Sequence, residues 1–187
     1  MISRVKLKYL NILNYLENNN LFYYIENSKN GIPEEYAKYI FKRIVQGIQF
    51  CHNNKVCHLD IKLDNIVLNA EFDPMIVDFG FSKQLPDLKK GLKNCSEKRG
   101  TQYFKSPEMY IEEGEISGID ADIFSLGTVL MLLVSKRVYF YLDTEHIKDK
   151  NYPECLKICS MKMEDMRNSI MNNKKYSPEL KNLYYIY

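Results

Sequence analysis

Residues 58–65 read HLDIKLDN. An aspartate, a lysine and an asparagine stand at 60, 62 and 65, each next to an apolar side chain. Polar groups so spaced are either a turn or a piece of chemistry. A fourth polar group, Asp78, follows a second apolar run (MIV, residues 75–77). Carboxylates, an amide oxygen and an ammonium group are what phosphoryl transfer asks for. That reaction needs oxygen ligands for a metal, a residue that positions the nucleophile, and a positive charge against phosphate oxygens.

The elements around these residues must bring them together. NIVL (65–68) and MIVDF (75–79) are short apolar runs separated by NAEFDP, which predicts a β-hairpin. A hairpin joins its two ends, so Asn65 and Asp78 can face one another. Their oxygens suit Mg²⁺, a hard cation that takes few protein ligands. Asp60 lies one turn away and could orient a hydroxyl, while Lys62 supplies a point charge for a phosphate oxygen.

Upstream, residues 16–22 read as a loop or linker after a short apolar segment. A helix begins near Pro33, with Glu34 and Glu35 suited to its positive end. Ala37, Ile40, Phe41, Ile44, Ile48 and Cys51 recur at helical spacing and predict one buried face, and HNNK ends the helix. Residues 81–107 carry no strong periodicity and read as a long loop. Residues 120–135 form a strongly apolar helix expected at the centre of the core. From 136 onward the chain reads as loops and short helices, with a last helix starting at Ser177. The expected fold class is mainly α with one small β-hairpin.

The chain has 187 residues, room for one domain with a sizeable core. A formal net charge of +2 gives no reason to expect nucleic acid or a membrane surface as partner. The apolar run at 123–134 is too short to span a bilayer, and the N-terminal stretch has no clean signal-peptide core. Five cysteines without a CxxC pair indicate reduced thiols, so a cytoplasmic or nuclear setting is expected. The three histidines form no metal-ligand spacing.

Four motifs, in order, resemble those of the eukaryotic protein kinases. HLDIKLDN is similar to the catalytic loop, and DFG at 78–80 to the magnesium-binding motif. GTQYFKSPE at 100–108 resembles the end of the activation segment. DIFSLG at 122–127 resembles the start of the buried central helix. The resemblance implies a serine/threonine kinase that moves the γ-phosphate of ATP to protein hydroxyls, with Mg²⁺ as cofactor. It implies Asp60 as catalytic base, Lys62 on the transferred phosphate, Asn65 and Asp78 as magnesium holders, and Thr101 shaping the site beside Asp60 and Lys62. Asp122 would cap the catalytic-loop backbone, and His58 and Phe79 would stack in structural roles.

ILNYLENNNLF at 12–22 is similar to the segment joining the two kinase lobes. On that likeness Leu13 backs the adenine pocket, Asn14 and Leu16 offer backbone groups to adenine, Asn20 faces the ribose, and Val67 packs beneath the ring. Plain core packing is the alternative for Leu13 and Val67.

The eight glycines include no GxGxxG, and no strand with a phosphate-gripping lysine precedes these motifs. The expectation is therefore a partial kinase domain over 1–187, truncated at both ends. It comprises a hinge remnant at about 10–20 and a large, C-terminal lobe at about 21–187. The family pairs the glutamate at position 108 with a late arginine, and Arg167 fits that place poorly. A kinase-like binding or scaffold protein, with a regulatory partner, is the alternative. Finally, Leu59 stands where the family usually has an arginine that pairs with a phosphorylated activation segment.

Overall fold

The computed structural model describes residues 18–29, 31–85, 91–93, 95–96, 98–110, 114–136, 164–165, 168 and 171–186. Among them run α1 (Leu21–Asn27), α2 (Glu34–Asn53), β1 (Val56–Cys57), β2 (Ile66–Leu68), β3 (Pro74–Ile76), β4 (Lys83–Gln84), α3 (Gly118–Ser135) and α4 (Pro178–Ile186). Single 3₁₀ turns occupy Leu63–Asn65 and Pro107–Tyr110.

The core lies between α2 and α3. Ala37, Ile40, Phe41, Ile44 and Ile48 form the buried stripe of α2, as their spacing predicts, while Cys51 is only half-buried. Helix α3 is buried on nearly every side, which explains its lack of a polar face. By length and composition alone it could cross a membrane. Here its apolar residues, among them Val129, Leu130 and Leu133, belong to the main core cluster. It starts at Ser117, whose side chain accepts a hydrogen bond from Asp120 N, and ends at Lys136 in the left-handed region. Helix α4 docks through Ser177, whose N–H donates to Glu34 Oε2 at 3.0 Å, and through the buried Leu180.

The hairpin forms in the register Ile66↔Ile76, Val67↔Met75, Leu68↔Pro74. Its second strand starts one residue earlier than the apolar run suggests and stops before Asp78. The turn is set by Asn69, whose side-chain oxygen accepts from the N–H of Glu71 and Asp73 at 3.1 and 2.8 Å. Asp73 is then held against α2 by Tyr39 Oη and by Arg43 at 3.2 Å.

Three expectations change. Residues 16–22 are not all loop: α1 begins at Leu21, with Asn20 accepting from Tyr23 N at 3.0 Å as its N-cap. A one-turn apolar stripe, Leu21 and Ile25, is too short to announce a helix by periodicity. Second, the hairpin is not the only sheet. Strand β1 pairs antiparallel with β4, Val56↔Gln84 and Cys57↔Lys83. Third, the segment 81–107 is not a structureless loop. It carries β4 and a bridge in which Cys95 and Ile116 exchange both backbone hydrogen bonds, at 3.1 and 2.8 Å. Two-residue strands leave no readable period in a sequence.

Leu13, Asn14, Leu16 and Arg167 lie outside the described residues, as do 137–163.

Candidate active site

The site begins with the connection between β1 and β2. Gly118, the first residue of α3, comes so close to β1 that a Cβ there would sit 2.5 Å from Cys57 Sγ. This approach carries Asp122, one turn into α3 and fully buried, beneath the loop at 58–60. Its Oδ1 accepts from Leu59 N at 2.8 Å and its Oδ2 from His58 N at 2.9 Å. His52 Nε2, in the last turn of α2, lies 2.8 Å from the same Oδ2. The predicted capping role of Asp122 is thus what the structure contains. His52 was not singled out by sequence, although it extends the Ile44–Ile48 stripe by one further turn.

Burial, reinforced by the Asp122 charge and by Cys95, pushes the Cys57 thiol well above its ordinary range. Ligand atoms of His52, Cys57 and Asp122 lie within 4.8 Å of one another. The Asp122 oxygens are already occupied by three donors, so this group is an anchor for the backbone.

Leu59 takes φ +65, a left-handed conformation that costs a non-glycine residue about 1–2 kcal/mol. The kink turns Asp60 inward, where it is buried. His58, also buried, fixes the next step: Asp60 N donates to its Nδ1 at 3.3 Å, while its Nε2 donates to Val77 O at 3.1 Å. Phe79 stacks obliquely on the His58 ring, centroids 4.7 Å apart.

Asp60, Lys62, Asn65 and Thr101 converge as a single cluster. Asp60 Oδ1 accepts from Thr101 N at 2.9 Å and from Thr101 Oγ1 at 2.8 Å. Asp60 Oδ2 accepts from Asn65 Nδ2 at 3.1 Å and pairs with Lys62 Nζ at 2.9 Å. Lys62 Nζ also donates to Thr101 Oγ1 at 2.8 Å. Asn65 Nδ2 has a second acceptor in Asp60 O at 2.9 Å. Four donors thus meet one carboxylate, the full capacity of its lone pairs. Thr101 reaches it because Gly100, at φ +136, lies against the loop: a Cβ there would be 2.9 Å from Leu59 O.

Asp78 stands at the neighbouring strand end. Val77 N donates to Asn65 O at 3.0 Å, so Asp78 follows the residue opposite Asn65. Asp78 is exposed, adopts φ +59, and its Oδ1 accepts from Gly80 N at 3.1 Å. With the Asn65 Nδ2 turned to Asp60, Asn65 keeps its amide oxygen and Asp78 its exposed carboxylate as oxygen donors. A hard-oxygen pair fits a magnesium ion.

Val67 and Asn20 form an isolated antiparallel bridge. Val67 shares the outer face of the hairpin with Met75, which is 41% exposed, so it is only partly covered. Asn20 spends its side-chain oxygen on the α1 cap.

Residues 3–185 match the family model described as protein kinase domain. The SNF1-related protein kinase catalytic subunit alpha KIN12 of Arabidopsis thaliana is 32% identical over 136 residues, covering 73% of this chain and 26% of that protein. A probable serine/threonine-protein kinase of Dictyostelium discoideum is 32% identical over 142 residues, 73% of this chain and 16% of its own length. The CBL-interacting protein kinase 25 of Oryza sativa subsp. japonica is 29% identical over 140 residues, with 73% and 26% covered. The matched parts thus span about a quarter of these relatives or less.

Thr101→Val removes a hydroxyl that both donates to Asp60 and accepts from Lys62. Hydrogen bonds to charged groups contribute about 1.5–3 kcal/mol each. We expect Thr101→Val to lower the stability measured by urea unfolding by about 1–3 kcal/mol, with Thr101→Ser near wild type.

Proposed function

This chain belongs to the protein kinase domain family, and on that premise we propose that it is part of a serine/threonine protein kinase that transfers the γ-phosphate of ATP to protein hydroxyls. The observation that carries the reading is the Asp60 carboxylate held by donors from Lys62, Asn65 and Thr101. A scaffold has no chemical use for a buried carboxylate gathered with a lysine and a threonine in this way.

In this reading Asp60 orients the substrate hydroxyl and takes its proton as the new O–P bond forms and the β–γ bridging bond of ATP breaks. Taking the proton requires one of the four donors to yield. Lys62 sits on a flexible stem and can swing from Asp60 to a phosphate oxygen, while the Thr101 amide cannot leave. Asn65 and Asp78 would hold magnesium, which supplies charge neutralisation at the phosphates. Val67, with Leu13, Asn14, Leu16 and Asn20, would border the nucleotide. Residues from about 10 to 20 would be the hinge, and those from about 21 onward the large lobe.

The 187 residues hold no glycine-rich GxGxxG loop. The chain by itself is therefore expected to bind nucleotide weakly and to transfer phosphate near background. The activity is proposed for a protein in which such a loop accompanies these residues.

Leu59 deepens the reading. It is buried in a cluster with Cys57, Cys95, Met109, Ile116 and Ala121. Cys95, Met109 and Ile116 come from the segment after DFG and its continuation. Apolar packing thus joins that segment to the catalytic loop at the position where the family usually relies on an arginine and a phosphate.

Two tests follow, both on the full-length protein. Asp60→Asn should lower kcat by roughly 10²–10⁴-fold, the scale of general base catalysis, with little change in ATP affinity. Loss of ATP affinity with kcat intact would remove Asp60 from that role. Phosphatase treatment, with mass spectrometry confirming bare Ser82, Ser96, Thr101, Tyr103 and Ser106, should change turnover by less than about tenfold. A hundredfold fall reversed by rephosphorylation would contradict the apolar ordering.

A further inference from the structure

The five cysteines show no pairing pattern in the sequence, yet the fold brings two of them together. Cys57 closes β1, immediately before His58, and Cys95 belongs to the segment after DFG. Both are buried thiols in the small apolar cluster around Leu59. Their meeting point is Gly118. A Cβ on that glycine would lie 2.5 Å from Cys57 Sγ, 3.1 Å from Cys57 Cβ and 3.8 Å from Cys95 Cβ. The missing side chain is therefore what lets the two cysteines crowd one spot.

Each cysteine is fixed by backbone contacts on its own side. Cys57 pairs with Lys83 across β1 and β4. Cys95 exchanges hydrogen bonds of 3.1 and 2.8 Å with Ile116, two residues before Gly118. A disulfide needs Cβ atoms about 3.5–4.5 Å apart and Cβ vectors that do not diverge. Two Cβ atoms that border the same methyl-sized space meet that need after a small approach of the Cys95 segment, which this one bridge ties to Ile116.

We propose that Cys57 and Cys95 form a reversible disulfide, a modification site that latches the segment after DFG to the loop bearing Asp60 when a peroxide oxidises the pair. Burial, with the Asp122 charge and Cys95 adding to it, keeps the Cys57 thiol protonated, so it does not meet the oxidant first. Entry is through brief opening of the Cys95–Ile116 bridge, a local event that leaves the core folded. Peroxide then converts the Cys95 thiol to a sulfenic acid and releases water. On reclosure the Cys57 sulfur attacks the Cys95 sulfur. The S–S bond forms, the S–O bond breaks, and the departing hydroxide leaves as water with the Cys57 proton. The two thiols lose two electrons in all, and one peroxide becomes two waters. The bond makes covalent a join that apolar packing around Leu59 already provides, and it removes open conformations of the long loop between the two cysteines. Thiols of reducing compartments form such bonds transiently, as redox sensors.

The inference stands apart from the phosphoryl-transfer reading, because its readouts are a covalent mass and amide exchange. The full-length protein is exposed to hydrogen peroxide, alkylated, and digested with trypsin, which releases VCHLDIK (56–62) and NCSEK (94–98). Folded wild type should yield these two peptides linked, and dithiothreitol should separate them. Cys57→Ala and Cys95→Ala should each abolish the linked species, while Cys51→Ala should keep it. In oxidised wild type the Cys95 and Ile116 amides should exchange at least about tenfold more slowly than in the reduced protein, and peroxide should not slow them in Cys57→Ala. Two cysteines that merely pack as small hydrophobes would give alkylated peptides without linkage, which would overturn the proposal. So would overoxidation of Cys95 to the sulfinic acid with Cys57 intact, or linkage seen only in urea-unfolded protein. Linked peptides with exchange unchanged at Cys95 and Ile116 would overturn the latch.

Discussion

A single buried carboxylate organises the molecule. Asp122 is fully enclosed and accepts hydrogen bonds from two consecutive backbone amides, Leu59 N at Oδ1 and His58 N at Oδ2, with the His52 ring also against Oδ2. A buried charge without partners costs several kcal/mol, and three donors are what make this one tolerable. The three come from two places in the chain, the end of α2 and the loop after β1, while the carboxylate itself belongs to α3. Its satisfaction therefore requires the core to be assembled. In return it holds Leu59 in a left-handed conformation the residue would not choose.

From that kink the rest of the site follows by short steps. Asp60 turns inward, His58 spans from Asp60 N to Val77 O, and Val77 N meets Asn65 O. The hairpin end bearing Asp78 is thus tied to the loop bearing Asp60 by ring and backbone contacts. Two of the five described non-glycine residues at positive φ lie here: Leu59 immediately precedes Asp60, and Asp78 is the other. Such conformations persist where the surroundings over-determine them, as sites of chemistry commonly do. The apolar group around Leu59 and Cys95 then lays the segment carrying Thr101 and Lys105 across the same loop.

Much of this was legible in the sequence, for identifiable reasons. The α2 stripe is a periodic signal repeated over several turns, and α3 is a continuous apolar run long enough to read as a buried helix. The hairpin is bracketed by an Asn-to-Pro turn. The cluster of Asp60, Lys62, Asn65 and Thr101 was readable because its members sit in ordered motifs. Other features were not legible. Helix α1 is two turns long, and its cap, Asn20, looks like loop polarity. β1 and β4 pair over two residues each. His52 was hidden as the polar end of an amphipathic stripe, although its i+4 spacing from Ile48 marks it as inward-facing.

The most direct measurement of the anchoring role is amide hydrogen exchange at His58 and Leu59, compared between wild type and Asp122→Asn. The side-chain amide of the variant keeps the size of the carboxylate but loses its charge and one of its two acceptor oxygens. The two amides should be among the slowest in wild type and should exchange at least about tenfold faster in the variant. Amides of Ile44 and Ile48 on α2 should remain protected, as a folded core requires. Unchanged exchange at His58 and Leu59 in the variant, with the core equally protected, would mean that the loop holds its shape without Asp122 and would contradict the account.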